Sequence, residues 1–377
     1  MNIIDQKLTS IVSRIKFSCE IPTNIETLNT FSNIKNIPID IIRETIKQNN
    51  YICLNIISLL KSLLIISIIT RTDYISPIIV FSESILAYTD INIEDLKNRL
   101  YLTLKPLQYG NLTSIIFKDV NSICDIEDNN KLGILPIFLI LPIIIYGYNS
   151  PEWTLISVQT ISNIIYKDSI ISSITTTIAY ILIQLISDNS KNKTFKTFKN
   201  KIIKILENWI DIYPNILEIN NVLDRNKIYS IISEISLSKP DDTNINDIWN
   251  WKKPIFSKSM LANTYNIRKN YIQYINNSTF VDSIGKFTPD FLAITLNIIY
   301  NSNDYTAINN QFKKNKDYYH VNSLITILCS SYFGEIFYNK IKNNLPSNID
   351  NNLLNEQITR VSDTVSVLYL KGKNISN

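Results

Sequence analysis

Pro77-Ile78-Ile79-Val80-Phe81-Ser82-Glu83-Ser84-Ile85-Leu86-Ala87-Tyr88 is the stretch that decides the fold. Within it Ile78, Phe81, Ile85 and Tyr88 recur at three- and four-residue steps, the spacing that lines apolar side chains along one stripe of a helix. The spacing predicts a helix over 77–88. Just beyond, Asn92-Ile93-Glu94-Asp95 supplies an N-cap with acids in the first turn, followed by Leu96 and Leu100, so a second helix starts there. Thr288-Pro289-Asp290 reads as N-cap, first-turn proline and dipole-complementing acid ahead of Leu292, Leu296 and Ile299. Near the C-terminus Leu324, Leu328, Tyr332 and Ile336 repeat the period. Few alternating polar and apolar runs compete with it, and an all-α fold follows.

Composition narrows the class. With 377 residues, 45% of them hydrophobic and 19% charged, the chain is too apolar for intrinsic disorder and long enough for one large core. Only 6 glycines occur, against roughly 7% in average usage, and no phosphate-binding loop or dinucleotide fingerprint is present. Abundant isoleucine, asparagine, tyrosine and lysine mark an AT-rich genome, of the kind a large DNA virus or a protist carries. Cys19, Cys53, Cys124 and Cys329 stand far apart, with no CxxC pair and no grouping with the single histidine, His320. They read as buried thiols in a reducing compartment. The N-terminal stretch has no signal-peptide core with a cleavage site, so an intracellular, cytoplasmic chain is expected, in the host cytoplasm if the source is viral.

Two apolar stretches have near-membrane length. Tyr51 to Thr70 carries Lys61 near its centre, with Asn55, Ser58, Ser62 and Ser67, and a central lysine costs about 2.5–3.5 kcal/mol on insertion scales. Leu132 to Tyr148 is interrupted by Pro136 and Pro142. Both read as buried helices of a globular core, and no membrane span is expected.

Four segments, in order, resemble the landmarks of the ADP-ribosylglycohydrolase fold family. Thr72-Asp73-Tyr74-Ile75, followed by Val80 to Leu86 and Ile93 to Leu96, is similar to a Ser/Thr-Asp-Asp-Thr motif, a helix ending in Ala-Glu-Ser-Leu-Leu and an acidic loop. Asn129-Asn130-Lys131-Leu132-Gly133-Ile134-Leu135-Pro136 is similar to a Gly-Asn-Gly-Ala-Met-Arg-Ile-Ala-Pro segment without most of its glycines or its arginine. Ser162 to Asp168 takes the place of Ser-x-x-Thr-His-x-Asp, with Ile165 and Tyr166 where threonine and histidine stand, and a helix over 173–185 follows. Pro289 to Pro346 resembles the last three landmarks: a helix over 291–300, a cap at Asn303-Asp304 and a helical run over 325–337 containing Gly334. There the Asp-x-Asp-Thr motif falls on Val321-Asn322-Ser323-Leu324.

The resemblance is clearest over 70–346. It implies one compact multi-helix domain over 1–346, with 347–377 as a polar C-terminal extension fraying at 371–377. In the resembled family a pair of Mg²⁺ ions between the first and last motifs orients the ribose and activates water. Magnesium needs hard oxygen ligands, normally carboxylates. Thr72, Asp73, Tyr74, Ile75, Val321, Asn322, Ser323 and Leu324 retain one acid, Asp73, itself a weak metal candidate, so the resemblance implies a degenerate site and no cofactor. Asn129, Asn130 and Tyr166 are the candidate ligand-binding positions.

Other groups have plainer readings. His320, without a second histidine or cysteine near it, reads as a hydrogen-bonded histidine and not a zinc ligand. Asp90 with Glu94, and Asp125, Glu127 and Asp128, read as helix-start acids on a solvated surface. Lys191, Lys193, Lys196, Lys199, Lys201 and Lys204, interleaved with Phe195 and Phe198, form a basic run that fits a phosphate backbone or, more plainly, a solvated amphipathic helix; with a net charge of only +4, nucleic acid is not expected. Trp249 and Trp251 read as loop anchors. The leading expectation is a catalytically inactive protein with a structural or protein-binding role, its old cleft filled by Tyr74, Ile75 and Tyr166. Two alternatives stand beside it: an active ADP-ribosyl hydrolase with a displaced site, and a metal-free module that binds ADP-ribose or a nucleotide.

Overall fold

A computed structural model describes residues 51–70, 74–88, 90–104, 135–166, 169–216, 288–314, 319–345, 349 and 351–372. Among the described residues the fold is all-α, with no strand. The helices are α1 (Tyr51–Thr70), α2 (Ser76–Tyr88), α3 (Ile93–Leu104), α4 (Leu135–Tyr146), α5 (Pro151–Tyr166) and α6 (Ser169–Ile186). They continue with α7 (Phe195–Ile216), α8 (Thr288–Asn301), α9 (Tyr305–Lys314), α10 (Tyr319–Phe333), α11 (Glu335–Lys342) and α12 (Asn351–Gly372).

The apolar stripes fall largely where the spacing predicts them, although Tyr88, at the end of the α2 stripe, is exposed. Ile78, Phe81 and Ile85 are buried on α2, as are Leu292, Leu296 and Ile299 on α8. Asn92 caps α3, its Oδ1 accepting from the Asp95 N–H at 3.0 Å, and Asp304 does the same for α9 through the Ala307 N–H at 2.8 Å. α4 runs unbroken through Pro142, although a proline removes a donor from the helix interior.

Two helices organise the core. α1 packs against α6, α10, α11 and α12, while α6 also meets α4, α5, α7, α8 and α10. α1 is the one helix among the described residues long and apolar enough to cross a membrane, and 72% of its apolar window is buried within the protein. Its lysine has a local explanation: the Lys61 ammonium lies 3.8 Å from Glu335 and over the Tyr338 ring, so it points at α11. Serines and threonines enter this core because their hydroxyls bond inside their own helices. Ser67 donates to the Leu63 carbonyl, Ser82 to Ile78, Thr176 to Ser172 and Ser331 to Ile327, each four residues back. Other buried hydroxyls, those of Ser62, Ser84, Thr295, Thr326 and Ser330, have no hydrogen-bond partner among the described residues.

Two features depart from the sequence reading. The run over 325–337 is not one helix: Gly334, at φ 60°, ends α10 and starts α11, and Ile336 is 73% exposed while Leu324, Leu328 and Tyr332 are buried. The kink breaks the period, so Ile336 leaves the stripe. The segment set apart as a polar extension contains α12, which packs on α1, α2 and α4 through Leu354, Val361, Val365, Leu368 and Tyr369. Lys371 and Gly372 belong to this helix.

Candidate functional site

The described positions among those that resemble the family's metal motifs share one end of the α1–α10 pair. Gly334, just after α10, sits against Asn55 near the start of α1, and Ser58 donates to Glu335 at 3.0 Å. Since α1 and α10 pack along their lengths, they must run antiparallel, which sets the first turns of α10 beside the last turns of α1. The chain leaving α1 folds back on it there, the Tyr74 N–H donating to Ser67 Oγ at 3.3 Å. Val321, Asn322, Ser323 and Leu324 therefore share an end of the fold with Tyr74 and Ile75.

That end is packed with apolar groups. The Tyr74 ring is 2% exposed and stacks on Phe138 of α4, with centroids 4.7 Å apart and planes 26° from parallel. Ile75, Val321 and Leu324 are fully buried. Asn322 and Ser323 are buried and offer only neutral oxygens, and the Asn322 Oδ1 has no hydrogen-bond partner among the described residues. These described positions bring no carboxylate, whereas protein-bound Mg²⁺ is normally held through one or two carboxylates with water completing its octahedron. Thr72, Asp73, Asn129 and Asn130 lie outside the described residues, as do the side chains of Tyr166 and His320. Among the described residues no three His, Cys, Asp or Glu side chains gather as metal ligands would.

Between α2 and α3 lies a charged network that sequence reading did not assemble. Arg99 on α3 is 3% exposed, with Nε 2.5 Å from Asp95 Oδ2 and Nη1 3.7 Å from Glu83 Oε2 on α2. All three groups are buried, so the guanidinium fastens α2 to α3 through paired charges that would be costly to separate. The Asp95–Arg99 half was readable as an i,i+4 pair; Glu83 joins only through the packing of two helices. Glu94, by contrast, is exposed and pairs with Lys97 at 3.1 Å.

Half of the basic run is engaged by the protein itself. Lys193 donates to the carbonyls of Asp188 and Tyr332 at 3.0 and 2.7 Å and stands over the Tyr332 ring, closing the C-terminus of α10. Lys199 donates to the carbonyls of Tyr300 and Ser302, closing α8 in the same way. Burial pushes both ammonium groups below their usual range, with Asp188 partly offsetting it for Lys193. Lys201 pairs with Asp188 at 2.9 Å. Lys191, Lys196 and Lys204 remain on the exposed surface. Asp125, Glu127, Asp128, Trp249 and Trp251 lie outside the described residues.

No family model matches the chain, and neither a curated protein nor a solved structure matches it. The fold and site define the class, an all-α protein with an apolar, tightly packed motif end.

Proposed function

We propose that this chain is a catalytically inactive protein built on an ADP-ribosylglycohydrolase-like helical arrangement and acting as a structural or protein-binding component. The observation that carries the reading is the buried stack of Tyr74 on Phe138, with Ile75 and Val321 closed beside it. Glycoside cleavage needs a polarised water and stabilisation of an oxocarbenium-like transition state, supplied by carboxylates or by ligated metal. Tyr74, Ile75, Val321, Asn322, Ser323 and Leu324 bring no carboxylate to that task. A protein partner suits a fold whose interior is filled by its own side chains. Lysines that close helix ends give a nucleic-acid reading little to stand on.

Calorimetric titration with ADP-ribose tests the reading against its closest rival. The proposal expects no saturable heat. Saturable binding that disappears in Tyr74→Ala or Tyr166→Ala, with no turnover, would instead identify a metal-free ADP-ribose module.

A further inference from the structure

On α12 the buried stripe runs Leu354, Gln357, Val361, Val365 and Leu368, at steps of three and four residues. A glutamine holds a position whose neighbours are all apolar. Gln357 is 2% exposed, and neither its Nε2 nor its Oε1 has a hydrogen-bond partner among the described residues. The Nη1 of Arg360, three residues on, is likewise buried and unpartnered. Positions i and i+3 are neighbours on a helix surface, with Cβ atoms about 5–6 Å apart. Two neighbouring positions on α12 thus carry two unused donor groups, one unused acceptor and a permanent positive charge.

A buried amide left without partners is expensive, and groups in this state call for an explanation such as a ligand. Arg360 is engaged by no ion pair among the described residues. Glu356 is exposed and Asp363 has interactions of its own. We propose that Gln357 and Arg360 form a binding site for a proton-bearing oxyanion of the phosphate type, whether free phosphate or a phosphomonoester. Its oxygens would accept from Gln357 Nε2 and from the guanidinium, a charge-assisted contact. Its P–OH would donate to Gln357 Oε1. The site lies on α12, outside the segment that resembles the glycohydrolase landmarks, and is independent of the function proposed above.

Thermal melts of the full chain at pH 5.5, where free phosphate and a phosphomonoester both keep a P–OH, and at matched ionic strength test this, comparing wild type, Gln357→Leu and Arg360→Gln in phosphate, a phosphomonoester, sulfate, acetate and chloride. Phosphate and sulfate also stabilise proteins by exclusion from their surfaces, so the readout is the difference between wild type and variants. Wild type should gain about 2 °C more than either variant in phosphate, the shift expected of a ligand near ten times its Kd. Sulfate, which has no proton to donate at this pH, and acetate should give less. A phosphomonoester giving the larger gain identifies an esterified ligand, and an equal or smaller gain identifies free phosphate. In chloride, Gln357→Leu should melt no lower than wild type, because an apolar isostere removes an unmet amide. Equal phosphate shifts in all three proteins would overturn the proposal. If Gln357→Leu loses stability or fails to fold, Arg360→Gln alone reads the phosphate shift, and a shift equal to that of wild type overturns the proposal.

Discussion

Gly334 stands so close to Asn55 that a Cβ on it would lie 2.6 Å from Asn55 Oδ1, while the Asn55 amide donates to the Ile186 carbonyl at 3.3 Å. One residue, Asn55, therefore joins the α10–α11 corner, the start of α1 and the end of α6. Gly334 also has φ 60° and ψ −133°, a backbone region that side chains with a Cβ rarely enter. Gly334→Ala should destabilise the protein by on the order of 1–3 kcal/mol from the backbone alone, measured by urea unfolding, whereas Ile336→Ala on the exposed face should change little.

Removing α12 should do more. Leu354, Val361, Val365, Leu368 and Tyr369 are buried, at about 1.5–3 kcal/mol each, a total comparable with the 5–15 kcal/mol by which whole domains are stable. Gly372 further lies so near the Tyr146 carbonyl that no Cβ fits between them. A chain ended at residue 350 is expected to lose cooperative unfolding by circular dichroism. An intact cooperative melt would show that the core is complete without α12.

These two elements also show where sequence reading stopped. α2, the Asn92 cap and the Asp304 cap were legible because period and capping chemistry are local. Gly334 was not, since a lone glycine in a helical period reads as tolerated until its φ is seen. α12 was hidden by a polar outer face and by Gln357 interrupting its inner stripe. The Tyr74–Phe138 stack and the Glu83–Arg99 pair join residues from different helices, and no local spacing encodes them. Residue identities alone indicated a motif end poor in metal ligands; its closure by aromatic stacking required the packing.

Asp188 gives a pH dependence with a definite sign. Burial pushes its carboxyl up, but hydrogen bonds from Ser190 and Lys201, with the Lys201 charge, hold the net value below the usual range. Its contribution is therefore present above the unfolded carboxyl pKa of about 3.9 and fades as pH falls through the lower folded value. Asp188→Asn should be less stable than wild type at pH 7, and the two should converge in acid. A gap that persists below pH 2 would mean that Asp188 acts through packing.

Restoring acids to the motif end should damage the protein. Tyr74→Asp with Val321→Asp and Ser323→Asp places carboxylates at buried positions, removes the Phe138 stack and provides no assured metal to offset them. The expected outcome is a melting temperature lowered by many degrees, or failure to fold, with no gain of hydrolysis in millimolar Mg²⁺. A folded triple variant that becomes magnesium-responsive would mean that the end retains a usable metal geometry.

Release of ADP-ribose from an ADP-ribosylated peptide tests the central claim most directly, with wild type and Asp73→Ala assayed side by side in millimolar Mg²⁺. Neither protein is expected to release product above the uncatalysed background, and the two traces should coincide. Reproducible release by wild type that Asp73→Ala abolishes would contradict the inactive reading and establish a displaced hydrolase site.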